Sequence, residues 1–337
     1  MPQFASPFLA RPVKPQTPQH LQPGGSWPSA EHVWDVKELD ALALAQASNR
    51  PLLVRGEPGT GKSQLARAAA ALLGWAFRYE VITARHEAQD LLWHYDAVER
   101  LASSRAADSV PMQDYVTPGT LWWALNPTGA ATQQHNAHTA RSTPGNQVAK
   151  ADVPPLPGTV VLMDEIDKAD SDLPNSLLEV LGNGSFTLPW GAPLLAPDQQ
   201  ASPTLIVITS NEERELPAAF VRRCICLHLV PPADAEESRF LDWLIVRAQA
   251  HFPGMAGAVL TDAARQVYQD RMQSPPSLGT RPGLAEYLDL LRALNNIAPG
   301  DAALQKAWLV RLAPYALLKQ YPQDQSRGIQ HPDPRLA

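Results

Sequence analysis

The sequence predicts a three-layer α/β domain built on a parallel sheet, followed by a small all-helical domain. Three observations carry this. Short apolar runs without polar alternation recur through the first 230 residues, as in strands buried on both faces. One of them, "LLVR", leads directly into the glycine-rich stretch "GEPGTGKS" and then into a helical pattern. From Asp234 onward the periodicity is helical, with no strand-like run between the segments.

In chain order, residues 1–33 are rich in Pro, Gln, Gly and Ser and are read as an extended arm. The globular part begins near Trp34, and "DVKELDALALAQASN" places Val36, Leu39, Leu42 and Leu44 at near-helical spacing behind Asp35 as N-cap. Strand candidates follow at 52–55, 78–83, 159–163, 204–210 and 225–230. Two polar segments lack enough apolar residues to pack: the loop 126–158 and the tail 322–337, expected to be disordered. Residues 182–200, "GNGSFTLPWGAPLLAPDQQ", read as a hairpin insert with Trp190 near its tip, either exposed to grip a partner or folded back on the domain. Trp93, Trp122 and Trp123 are read as packing between helix and sheet. The nucleotide-binding domain spans 34–231 and the helical lid 232–321, parted near Pro231 and Pro232.

The spacing Gly56, four residues, Gly61, Lys62, Ser63 fits the strand–loop–helix phosphate motif of P-loop NTPases. Glycines at 56, 59 and 61 let successive backbone N–H groups turn toward one anion at the start of a helix. Lys62 is expected to reach the β- and γ-phosphates of ATP, and the Ser63 hydroxyl to coordinate Mg2+. The expected nucleotide-binding set is Gly56, Glu57, Pro58, Gly59, Thr60, Gly61, Lys62, Ser63 and Gln64. A capping turn alone needs neither the lysine nor this spacing.

The second motif is "TVVLMDEIDKAD", an apolar strand ending in Asp164 and Glu165. Asp164 is placed to hold Mg2+ through water and to bond Ser63, and Glu165 to polarise an attacking water. Asp167 and Asp170 are read as surface or cap residues. Asn211, at the end of the strand "TLIVITS", is in place to bond the lytic water and the γ-phosphate, or to serve as a turn residue. Arg222 and Arg223 follow a short helix, where a guanidinium is suited to a neighbour's γ-phosphate. Arg281, opening a helix of the second domain, is a candidate nucleotide contact.

Composition excludes several classes. A net charge of −6 gives no support for a broad nucleic-acid surface. No apolar run approaches a membrane span, and prolines interrupt the N-terminus where a signal peptide needs an apolar segment, so a cytoplasmic protein is expected. Cys224 and Cys226, the two cysteines, are expected on one face of a strand as small buried hydrophobes. His135 and His138 have no ligand-spaced partner and read as solvated loop residues.

Together, "GEPGTGKS", "VVLMDEID", "TSN", "LPAAFVRRC" and "GTRPGLAEYL" resemble an AAA+ ATPase. The stretches "YVTPGTLWWAL", "LPNSLLEVLGNGSFTLP" and "LPAAF" resemble the MoxR-type branch, also described as dynein-related or midasin-like. The resemblance covers roughly residues 34 to 320. It implies a doubly wound sheet with a helical lid, a hexameric ring, an arginine finger acting in trans, and a partner protein carrying a von Willebrand factor A domain. The family's register favours Arg223 as the finger, with Arg222 next. The chain departs from the family in reading "DEIDKAD" where "DEIN" and a following Arg are commoner, and "TSN" where "TQN" is. The expected function is ATP-driven remodelling, maturation or cofactor insertion of a partner protein. The rivals are a nucleic-acid motor or loader, disfavoured by the acidic balance, and a slow nucleotide-gated scaffold, disfavoured by Glu165.

Overall fold

A computed structural model describes residues 14–103, 111–141, 157–195, 203–274 and 281–317, together with Phe8. The chain divides into two compact units, Met1–Val230 and Pro231–Ala337.

In the first unit the segment expected as an extended arm is instead a hairpin, β1 (Pro18–Leu21) paired antiparallel with β2 (Ala30–Val33). Leu21, Val33 and Trp34 are buried, and the Trp34 indole donates to Gln19 Oε1. Helix α1 (Val36–Ser48) then starts at Asp35, whose carboxylate accepts from Lys37 N while Glu38 reaches back to Asp35 N. It stops at Asn49 in the left-handed conformation. Strand β3 (Leu52–Arg55) feeds the glycine loop and α2 (Lys62–Leu73), and β4 (Ala76–Val81) follows.

Between β4 and the next sheet strand lie α3 (Ala88–Leu92), β5 (Trp93–Tyr95), α4 (Ala97–Ser103), β6 (Val116–Pro118) and α5 (Thr120–Leu125), with β5 and β6 antiparallel. Helix α6 (Pro127–Arg141) occupies the first part of the segment expected to be a loop. Pro127 takes the first helical position, and Asn126 Oδ1 accepts from Gly129 N at 2.7 Å. Its buried contacts are made by alanines, Ala130 and Ala137, which is why the segment reads as too polar to pack. His135 lies on this helix; the side chain of His138 and residues 142–156 fall outside the described residues, as does the tail 322–337.

Strand β7 (Thr159–Asp164), α7 (Asp172–Asn183), the hairpin β8 (Ser185–Thr187) and β9 (Pro193–Leu195), β10 (Thr204–Ser210), α8 (Ala218–Val221) and β11 (Ile225–His228) complete the unit. Trp190, between β8 and β9, is folded back: it packs on the core with its ring 6.3 Å from that of Trp122.

The main sheet is parallel, in the order β11-β3-β10-β7-β4. Its central strands bury both faces, since successive side chains point opposite ways. Leu53, Val161, Met163 and Ile208 face a core completed by α5 and α7. Leu52, Val54, Val160, Leu162 and Val207 face one completed by α1 and the alanine-rich α2. Edge strand β11 is different. Cys224 is buried in the turn before the strand, but Cys226 on it is exposed, so the two cysteines do not share a buried face. Burial pushes the Cys224 thiol up to about 12.

The second unit consists, among its described residues, of α9 (Glu237–His251), α10 (Gly257–Gln273), α11 (Leu284–Ile297) and α12 (Ala302–Leu317) around Phe240, Leu244, Val267, Tyr287 and Leu291.

Candidate functional site

The C-terminal tips of β3, β7 and β10 lie side by side, because the register sets Ile208 opposite Met163 and Ser210 opposite Arg55. In an open parallel sheet this edge is where ligands bind.

The loop leaving β3 turns on glycines. Gly56 has φ +149°, and a Cβ there would stand 2.3 Å from Leu229 O, so only glycine fits. Gly61, at φ +96°, delivers the chain into α2, and the Thr60 hydroxyl closes the loop onto Glu57 O. Lys62 is buried and donates to Gly56 O and Glu57 O, both at 2.8 Å. Burial lowers its pKa, opposed by the charges of Asp164, Asp167, Glu165 and Glu212. The Gln64 side chain turns the other way, donating to Glu31 O of the hairpin at 2.7 Å. Beside it, Arg67 donates to the carbonyls of Pro28, Leu21 and Gln22.

Asp164, at the tip of β7, accepts from the Ser63 hydroxyl at 2.8 Å and from the Thr209 hydroxyl at 2.5 Å. Thr209 Oγ1 also accepts from Glu165 N at 2.9 Å. Glu165 adopts the left-handed conformation, φ 61°. Its Oε2 meets Lys168 Nζ at 2.6 Å, and its Oε1 accepts from Asn211 Nδ2 at 3.3 Å. Asp167, expected at the surface, is buried and accepts from Asn211 N and Glu213 N, so it fixes the end of β10. Asp170 is exposed, 3.9 Å from Arg214.

The structure therefore gathers Lys62, Ser63, Asp164, Glu165 and Asn211 at one edge. Arg222 and Arg223 are exposed on the turn after α8, without a hydrogen bond or ion pair to that cluster. Arg281 is held inside the second unit by Asp234 Oδ2 at 2.7 Å and by Arg271 O. Sequence reasoning missed Thr209 and Lys168; a hydroxyl two residues before Asn211 and a lysine three after Glu165 were the available signals.

The donor set suits a nucleoside triphosphate with a small hard cation: a hydroxyl and a carboxylate 2.8 Å apart, a buried lysine, and a glycine loop at a helix N-terminus. Fold and site together define a P-loop nucleotide-binding protein. The family described as "AAA domain (dynein-related subfamily)" matches residues 51–224, and the chain belongs to this AAA+ ATPase family. Two solved mutants of RuvB from Thermotoga maritima are similar to it over 82% of this chain. They share 14% and 13% identity, cover 68% and 67% of their own lengths, and give TM-scores of 0.43 and 0.41. No curated protein matches the chain. Among the described residues, no helix is long and apolar enough to cross a membrane.

Proposed function

We propose that the protein is a Mg2+-dependent ATPase of the MoxR-type branch. It works as a closed ring, six subunits by resemblance, that remodels, matures or loads a cofactor into a partner protein. The observation that carries hydrolysis is the position of Glu165: it directly follows the Ser63-bonded Asp164 and has its carboxylate oxygens on Asn211 and Lys168. A protein that only binds nucleotide has no need of a second carboxylate there.

The residues divide the work. The N–H groups of the glycine loop and Lys62 hold the β- and γ-phosphates. Ser63 and Asp164 are the residues to hold Mg2+, which when bound neutralises phosphate charge. Glu165 takes the proton of the attacking water as the water oxygen bonds the γ-phosphorus and the bond to the β-phosphate oxygen breaks, releasing ADP. Asn211 orients Glu165 and the water. Arg223, exposed and without an ion pair among the described residues, is assigned to the neighbouring subunit's γ-phosphate, with Arg222 as the other choice. The nucleotide role of Arg281 follows from its place at the opening of a second-domain helix, and a client with a von Willebrand factor A domain from the resemblance.

Mixing Arg223→Ala with Glu165→Gln subunits tests the ring. Each variant alone should be inactive, and the mixture should regain activity at interfaces that pair an intact Glu165 with a neighbour's intact Arg223. No recovery, with subunit exchange shown separately, refutes the trans assignment.

A further inference from the structure

The turn that carries both finger candidates is held from one side by a residue outside every motif. Arg50 Nε donates to Arg223 O at 3.0 Å, and its Nη2 donates to Arg222 O and to Cys224 O, the latter at 3.1 Å. One guanidinium thus spans three successive carbonyls more than 170 positions away in the chain. The N–H groups of the same three residues bond back into α8, to Ala218, Phe220 and Val221. The turn is therefore satisfied on one side by its own helix and on the other by Arg50. Cys224 at the end of the turn is packed into the core, whereas Arg222 and Arg223 border a cavity of about 520 Å3 that Arg50, Leu178, Leu181 and Phe220 also line.

Arg50 is itself tightly placed. Its N–H donates to Ala45 O as part of the left-handed ending of α1 at Asn49, and Pro51 follows it. Pro51 O accepts from Ile225 N, and β3 begins at the next residue and ends at the phosphate loop.

We propose that Arg50 is the positioning residue of the arginine finger: it sets the direction in which Arg222 and Arg223 leave the turn. This rests on the trans-finger reading of Arg223. Guanidinium chemistry is needed because a planar fork can serve several acceptors in fixed geometry, whereas an ammonium is a compact point charge. A finger displaced by about 1 Å loses on the order of 10²-fold in rate.

The test uses the full chain with Arg50→Ala and Arg50→Lys. Both should assemble and bind a fluorescent ATP analogue within about twofold of the parent. Turnover should fall about 10²-fold for Arg50→Ala, and Arg50→Lys should restore only part of it. The deciding readout is complementation. Arg50→Ala mixed with Glu165→Gln should recover activity, as Arg223→Ala does, because the Arg50 defect then lies in the finger given to the neighbour. If Arg50→Ala does not fold, Arg50→Lys takes its place in the mixture. Parental turnover in either variant overturns the proposal. So does a failure of the Arg50 mixture when the Arg223 mixture recovers, since Arg50 would then act on its own site through β3. Failure of the Arg223 mixture removes the trans reading and this inference with it.

Discussion

The Ser63 hydroxyl lies 2.8 Å from Asp164 Oδ1, joining the first turn of α2 to the tip of β7 across 101 positions of sequence. The pair couples the phosphate loop to the acidic strand end. Ser63→Ala and Asp164→Asn should each leave the fold intact but remove the extra thermal stabilisation that Mg2+ adds to ATP. Ligand stabilisation grows with the logarithm of occupancy, so melting temperatures with ATP and EDTA against ATP and Mg2+ provide the measure. An unchanged Mg2+ effect in both variants counts against these ligands.

Gly56 and Gly61 should respond differently to alanine. At Gly61 only the backbone angle is unfavourable, a strain of roughly 1–3 kcal/mol. At Gly56 the new Cβ also collides with the Leu229 carbonyl. In urea unfolding, Gly56→Ala should be the more destabilised of the two and should fail to bind ATP. Equal midpoints would show that the loop start is less constrained than its geometry indicates.

Lys168 draws on the carboxylate that must accept a proton. The pairing raises the lysine's pKa, chiefly through the hydrogen bond to Glu165. A raised lysine keeps its charge well below its ordinary value near 10.5 and loses it only as pH climbs through the raised value, so at neutral pH it is fully charged and available to the carboxylate. A partly exposed pair is worth about 0.2–1 kcal/mol. Lys168→Met should therefore raise basal turnover roughly 1.5- to 5-fold at pH 7 with unchanged ATP affinity. A fall in turnover would make Lys168 a helper of Glu165 and not a restraint.

Arg67 ties the β1–β2 hairpin to α2 through the carbonyls of Leu21, Gln22 and Pro28. Arg67→Met keeps much of the stem but strands these acceptors, at a cost on the order of 2 kcal/mol. Hydrogen exchange should rise in residues 18–33 and stay unchanged in β7. Exchange rising equally everywhere would show that the hairpin is not a separate layer.

The sheet and the phosphate site were legible because each rests on local signals. Uninterrupted apolar runs mark β3, β7 and β10, and glycine, lysine and serine at fixed spacing mark the loop. What was missed depends on distant partners. The strands "PQHL" and "AEHV" are too short and polar to register, and the hairpin is held by Arg67 and Trp34. Asp167 reads as a surface acid, yet the left-handed turn at Glu165 carries it inward to the N–H groups of Asn211 and Glu213. Arg50 belongs to no motif, since its function lies in carbonyls whose orientation no sequence pattern reveals.

The central claim is that Glu165 activates the water of ATP hydrolysis at a site that binds nucleotide without it. Steady-state phosphate release, measured beside ATP binding for the parent and Glu165→Gln, tests it most directly. The glutamine keeps the shape and the bond from Asn211 but cannot accept the proton, so binding should persist while turnover falls by at least about 10²-fold. Parental turnover in Glu165→Gln would contradict the account.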